Sequence, residues 1–305
     1  MANKHASLDA LFTDIADAIR EKTGDTGTIP AVEFPNLIRD RLELAPPAFL
    51  TFSSPSSFTL KVNDTTKHWD GTLEYSTDAY TWSTWDGTTT LSSATSGSDN
   101  VIYLRGTGNT VIAGNSSNYR WVLTGSDIAC IGNIENLLDY ATVESGAHPT
   151  MASNCYRFMF CDCTALTQAP ALPATTLAEG CYFSMFYLCT ALTQAPALPA
   201  TTLTNYCYSG MFKNCTKIKL SSTQTGEYTV AYRIPTTGTG TTAINALADM
   251  FGSTGGTFTG NPEINTTYYL SSDNMVVHDT EVATLNGYVS SMIDAAIGNA
   301  IGGSY

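Results

Sequence analysis

The chain has 305 residues, with 14 Lys+Arg against 27 Asp+Glu and a formal net charge of −13. So acidic a chain lacks the basic footprint that a polyphosphate partner demands, which argues against nucleic acid. Only 13% of residues are charged and 43% are apolar, which argues against wholesale disorder, and 46 Thr with 24 Gly point to a β-rich, turn-rich body.

No apolar run approaches the length of a membrane span, and the opening residues Met1-Ala2-Asn3-Lys4-His5 do not read as a secretory signal. Charge is concentrated at the front: residues 1–45 hold 5 of the 14 bases and 8 of the 27 acids. A charged head therefore precedes a long, nearly uncharged body.

The head, 1–45, reads as a helical module. Leu8, Leu11, Phe12, Ile15 and Ile19 form one stripe at helical period, with Ser7 as a cap and Gly24 as a stop. A shorter helix is expected over Leu37, Ile38 and Leu42. Two such helices bury little alone, so they pack on their own body or dock on another chain. The segment Leu11 to Gly24, followed by Ile29 to Phe34, resembles the N-terminal segment of phage tail and baseplate-associated proteins from gut Firmicutes phages. That resemblance implies docking onto other virion proteins.

Pro46-Pro47 opens a small β domain over 46–130. Strands are expected at Phe58–Val62, 73–75, 80–82, 101–105, 110–112 and 119–123, with turns at Asp70-Gly71, Asp86-Gly87 and Gly114-Asn115. This spacing suits a sandwich or small barrel. Trp69, Trp82 and Trp85, with Tyr75 and Tyr80, are either core or a platform for stacking sugars, and spacing does not separate the two.

The next segment repeats. Cys155-Tyr156-Arg157-Phe158-Met159-Phe160-Cys161-Asp162-Cys163 recurs at Cys181–Cys189 and Cys207–Cys215, with a period of 26. Cys163 to Leu177 is identical to Cys189 to Leu203. Such a period denotes a solenoid. Positions 155, 156, 159, 160 and 163 are the same in all three copies. Their spacing places them on one face of a helix over 155–163, with the varied positions on the other face. Leu166, Leu192 and Ile218 are expected to point inward from a short strand, and Pro170 and Pro173 stop the helix. The outward residues Arg157, Phe183, Tyr187 and Lys213 are the candidate binding residues.

The motif Cys-Tyr-x-x-Met-Phe-x-x-Cys-Thr-x-Leu resembles BspA-type leucine-rich repeats, over roughly 131–275. Residues 132–140 would be the entry cap, and Ala246–Gly252 a worn last copy in which Ala246-Leu247 replaces Cys-Tyr and Thr254 the second Cys. The resemblance implies an adhesin or interaction protein rather than an enzyme.

The two repeated cysteines of a copy lie eight apart, about 12 Å along a helix and beyond disulfide reach. Bonds between neighbouring copies remain open, but a ladder of buried free thiols is the simpler reading. No paired Cys-x-x-Cys knuckle is present, and His5, His68, His148 and His278 are scattered, so neither a metal nor another cofactor is expected. No nucleophile elbow, zinc-protease or phosphate-loop motif occurs, although paired acids of a glycosidase cannot be judged from spacing.

Over 276–305 an amphipathic helix is expected, with Val282, Leu285, Val289, Met292 and Ala296 as its seam, packed on its own chain or on a second copy. The expected fold class is thus multidomain, mainly β plus solenoid, with a helical module at one end and a helix at the other. The expected function is that of a non-enzymatic phage virion protein, a tail fibre or baseplate appendage that meets a host-surface glycan or protein, as a homo-oligomer with a trimer favoured. A head fibre or capsid decoration, and a bacterial surface adhesin, are the alternatives.

Overall fold

Leu50, Phe52 and Ser54 are buried and Thr51 and Ser53 are not, the two-residue alternation of a half-buried strand. That strand, β1 (Leu50–Ser54), opens the computed structural model, which describes residues 49–277 apart from 65, 80 and 115. In chain order there follow β2 (Thr59–Val62), β3 (Thr72–Ser76), β4 (Ser83–Thr84), β5 (Leu91–Ser92), β6 (Ala94–Ser96), β7 (Asp99–Thr107), β8 (Trp121–Thr124) and β9 (Ile128–Ile131). Then come α1 (Asn136–Glu144), β10 (Leu166–Gln168), β11 (Gln194–Pro196), β12 (Lys219–Ser221), β13 (Tyr228–Arg233), β14 (Gly255–Gly256), β15 (Thr267–Ser271) and β16 (Met275–Val277).

One nine-stranded sheet runs β16-β11-β10-β9-β1-β7-β3-β4, with β6 also on β7. Its β1, β3, β4, β6, β7 and β9 pair antiparallel, with Leu50 opposite Leu104 and Phe52 opposite both Ile102 and Cys130. From β9 onward it is parallel, one short strand per repeat. A three-stranded sheet β5-β2-β8 and a four-stranded sheet β13-β15-β12-β14 complete the fold. Leu50, Phe52, Leu60, Trp121 and Leu123 share one apolar core with the repeat residues.

The expected fold class needs correction. Among the described residues the only α-helix is α1, broken at Asp139, and the rest is sheet and turn. The helical module over 1–45 and the helix over 276–305 are not seen. Val276 and Val277 are strand, and the remainder of both segments lies outside the described residues.

The helix expected over 155–163 is absent as well. The chain there is a ribbon of tight turns with a left-handed residue at every fourth position: Asn154, Phe158 and Asp162 in the first coil, Gly180, Ser184 and Leu188 in the second, Tyr206, Gly210 and Asn214 in the third, and Asn245, Asp249 and Ser253 in the fourth. Seven of these twelve are Asn, Asp or Gly, the residues that most readily adopt positive φ.

Backbone hydrogen bonds explain why the ribbon replaces a helix. Alternate amides bond within the coil, as Arg157 N–H to Asn154 O at 3.1 Å and Met159 N–H to Tyr156 O at 3.1 Å. The amides between them bond the next coil: Tyr156 to Cys181 O at 2.8 Å, Phe158 to Phe183 O at 3.0 Å and Phe160 to Met185 O at 2.9 Å. An α-helix spends its interior amides on itself. The ribbon keeps half for its neighbours and so closes the coils into a ladder.

Inside the ladder identical side chains stack. Tyr156, Tyr182 and Tyr208 follow at 5.5 and 5.8 Å between ring centroids, and Phe160, Phe186, Phe212 and Phe251 at 5.7, 5.6 and 5.5 Å. Such pairs contribute about 0.5–1.5 kcal/mol each beyond their buried area. The β strands cap the first coil. Ile112 and Ala113 donate to Cys155 O at 3.0 and 2.9 Å, Trp121 donates to Met159 O at 2.7 Å, and the Trp121 ring meets Phe160 edge-on at 6.1 Å. At the far end Gly260 O accepts from Phe251 N–H, and the Asn261 side chain accepts from Asp249 N–H.

All eight cysteines are free and buried. The second thiol of each coil reaches back to the layer before it: Cys163 to Trp121 O at 3.3 Å, Cys189 to Phe160 O at 3.0 Å and Cys215 to Phe186 O at 2.9 Å. In the fourth coil Thr254 instead donates within its own coil, to Phe251 O at 3.0 Å.

Candidate interaction surface

The four-residue ribbon sends two side chains inward and then two outward. Cys155, Tyr156, Met159, Phe160 and Cys163 are at most 2% exposed. The outward positions align in columns, because each rung between coils fixes the register of its neighbours. Phe158 N–H bonds Phe183 O, Ser184 N–H bonds Ser209 O, and Gly210 N–H bonds Ala248 O. One column therefore reads Arg157, Phe183, Ser209, Ala248. The column four residues further along reads Cys161, Tyr187, Lys213, Gly252, through the rungs Asp162 to Tyr187 O, Leu188 to Lys213 O and Asn214 to Gly252 O.

The four candidate binding residues fall into two pairs, each bridging adjacent coils, and all are half-buried. The Arg157 guanidinium lies over the Phe183 ring at 4.3 Å from its centroid and 5.2 Å from that of Phe158. Phe158 and Phe183 meet edge to face at 5.4 Å. Arg157 Nη1 donates to Asn154 Oδ1 at 3.1 Å, while its Nε is enclosed with no acceptor. Burial pulls the Arg157 pKa below its usual value. A Cβ on Gly180 would come within 2.6 Å of Asn154 Oδ1, so the glycine leaves room for the amide that holds Arg157.

In the second pair Lys213 forms an ion pair with Asp249 of the fourth coil at 2.5 Å, with side chains 39% and 49% exposed. That hydrogen bond and charge raise the Lys213 pKa, with a smaller contribution from the neighbouring Tyr187. Gly252 makes room for the acid, since a Cβ there would fall 2.2 Å from Asp249 Oδ1.

Sequence reasoning passed over Phe158, Asn154 and Asp249. Phe158 carries a signal in the sequence, as a large apolar residue at an outward, varied position. Asn154 and Asp249 stand out only once the left-handed positions are known.

The aromatic group at 69–85 divides. Trp69 and Trp85 are core, 3% and 1% exposed and 5.3 Å apart, with Trp85 Nε1 donating to Thr89 O at 2.8 Å. Trp82 leaves them and receives the Arg105 guanidinium at 4.1 Å, while Arg105 Nε donates to Glu74 at 2.8 Å. Tyr80 lies outside the described residues.

His68 stacks on Tyr119 at 3.8 Å, and His148 lies 2.6 Å from buried Glu135. His5 and His278 lie outside the described residues. No group of three or more His, Cys, Asp and Glu among the described residues is placed to hold a metal ion. A shallow depression of about 170 Å³, lined by residues such as Ala197, Tyr232 and Val276, is smaller than the roughly 300–1,000 Å³ of small-molecule sites. No family model, curated protein or solved structure matches the chain.

Proposed function

We propose that this chain is a non-enzymatic structural protein of a phage virion, a tail fibre or baseplate appendage. In this reading residues 1–45 join it to other virion proteins, and its coils meet the host surface. The observation that carries the reading is the division of labour within the coil. A repeated, stacked interior holds the backbone rigid, and the outward columns differ from coil to coil and present Arg157, Phe183, Tyr187 and Lys213 from fixed positions. Rigid scaffolds with varied exposed side chains are binding surfaces by construction.

Gold-labelled antibody against 131–275 places the protein by electron microscopy. Label at the tail tip agrees with the proposal, label on the capsid makes it a head fibre or decoration, and label on bare cells alone makes it an adhesin. Particles carrying Phe183→Ala with Tyr187→Ala adsorb at least tenfold more slowly while the purified variant stays folded. Unchanged adsorption removes these residues from the contact.

A further inference from the structure

Arg157 carries a positive charge that no acid of the described residues answers. Arg105 pairs with Glu74 and Arg120 with Asp162, while Arg233 donates to Pro235 O and Asn265 Oδ1. Arg157 has only an amide: its Nη1 donates to Asn154 Oδ1 at 3.1 Å, its Nε is enclosed without an acceptor, and its Nη2 is neither bonded nor enclosed. The guanidinium is nonetheless fixed, 4.3 Å from the centroid of Phe183 and 5.2 Å from that of Phe158. Holding a half-buried cation without a counter-charge is costly, and the enclosed Nε adds to that cost. A carboxylate from another molecule, placed at Nη2, offsets the charge in the form that an arginine fork binds best.

The residues around Arg157 set the kind of partner. Phe158, Phe183, Tyr187 and Leu188 are half-buried and adjacent on the first two coils, through the rungs Phe158 N–H to Phe183 O and Asp162 N–H to Tyr187 O. Closed ion pairs flank them, Arg120 with Asp162 at 3.6 Å towards the first coil and Lys213 with Asp249 towards the fourth. The rings are engaged with Arg157 and with each other, and the third coil is shut, with Ser209 8% exposed and Gly210 buried. An apolar centre with one open cation, ringed by neutralised charges, has the composition of a protein–protein contact, where aromatic residues and arginine carry most of the affinity.

We propose that Arg157, with Phe158, Phe183, Tyr187 and Leu188, is a docking surface for a protein of the host envelope, and that a carboxylate side chain of that protein sits on Nη2 of Arg157. The inference rests on the host-contact reading above and narrows it from glycan or protein to an acidic site on a protein.

The test is binding of the purified full chain to intact host cells. Arg157→Met keeps an unbranched stem against Phe183 and removes the charge, and Arg157→Lys keeps the charge and removes the fork. Expected is binding at least tenfold weaker for Arg157→Met and intermediate for Arg157→Lys, with thermal stability unchanged or raised, since an unpaired, partly desolvated cation has gone. Amidation of the cells' carboxylates with a carbodiimide and an amine should weaken wild-type binding by a similar factor and leave the residual binding of Arg157→Met unchanged. Protease treatment of the cells should abolish binding and periodate should spare it. Undiminished binding by Arg157→Met overturns the proposal, as does binding that survives protease and is lost to periodate, the mark of a glycan. A change of oligomeric state in Arg157→Met, read by light scattering, assigns the surface to a second copy and overturns it too. If adsorption still falls in the Phe183→Ala, Tyr187→Ala particles, the host-contact reading survives that failure. If adsorption is also unchanged, both fall.

Discussion

The thiol of Cys189 donates to the carbonyl of Phe160, 3.0 Å away and one coil earlier. Cys215 repeats the bond to Phe186 at 2.9 Å. The cysteine is thus a rung of the ladder as well as a small apolar filler. Cys189→Ala removes the rung and leaves a small cavity. It should lower unfolding free energy by about 1 kcal/mol in urea titration, because the Phe160 carbonyl still accepts from the Cys163 amide and loses only the thiol. Eight thiols should stay unreactive toward a disulfide reagent in the native chain and all eight should react in denaturant, since every one is free and buried.

Stability should fall in alkali. Burial pushes Cys161 and Cys207 from 9.0 up to about 11, and Cys163 up to about 12. Above pH 9 the unfolded chain sheds these protons while the folded chain keeps them. The contribution is complete below pH 9 and is lost as pH rises through the folded values. Urea midpoints measured under reducing conditions from pH 8 to pH 11 should decline progressively. A flat profile would show that the thiols do not couple to unfolding.

Tyr206 holds φ of 57° at a position occupied by Asn154, Gly180 and Asn245 in the other coils, and the residue is 39% exposed. Left-handed geometry costs a non-glycine residue about 1–2 kcal/mol, less for Asn. Tyr206→Asn should therefore raise stability by about 1 kcal/mol in chemical denaturation.

Gly180→Ala should do the reverse. The residue has φ of 60°, and the added carbon meets Asn154 Oδ1 at 2.6 Å. A loss of about 1–2 kcal/mol is expected, because the added carbon also crowds the Asn154 amide that holds Arg157 over Phe183.

Trp121 joins the strands to the coils through its amide and its ring. Trp121→Ala should cost about 3–5 kcal/mol. Its mark should be faster amide exchange in the first coil than in the third, since the uncapped end of a stack opens first.

The 26-residue period and the inward placement of Cys155, Tyr156, Met159, Phe160 and Cys163 were readable from the copies alone, because identity among stacked units reports which side chains touch. The ribbon was not. Spacings of four and eight fit a helix over a short stretch, although each step of four overshoots a helical turn by about 40°. The sharper clue was Asn, Asp or Gly at seven of the twelve fourth positions, residues that a helix disfavours and the left-handed conformation suits. Trp82 and Trp85 lie three residues apart yet part company, one over Arg105 and one in the core. Their fates depend on partners from β7 and β8, far away in the sequence.

Because every rung between the first three coils has the same register, the stack has no preferred number of layers. Cys163 to Leu177 and Cys189 to Leu203 are identical, so recombination between them removes or adds 26 residues without touching the Trp121 cap or the Asn261 end. Each such event shifts the far end by one layer of about 5.5–5.8 Å, the ring spacing of the ladder, and inserts or deletes one outward row. The fold thereby lets a lineage change the length and lettering of its outer face in whole steps, while the means of closing the stack stay the same.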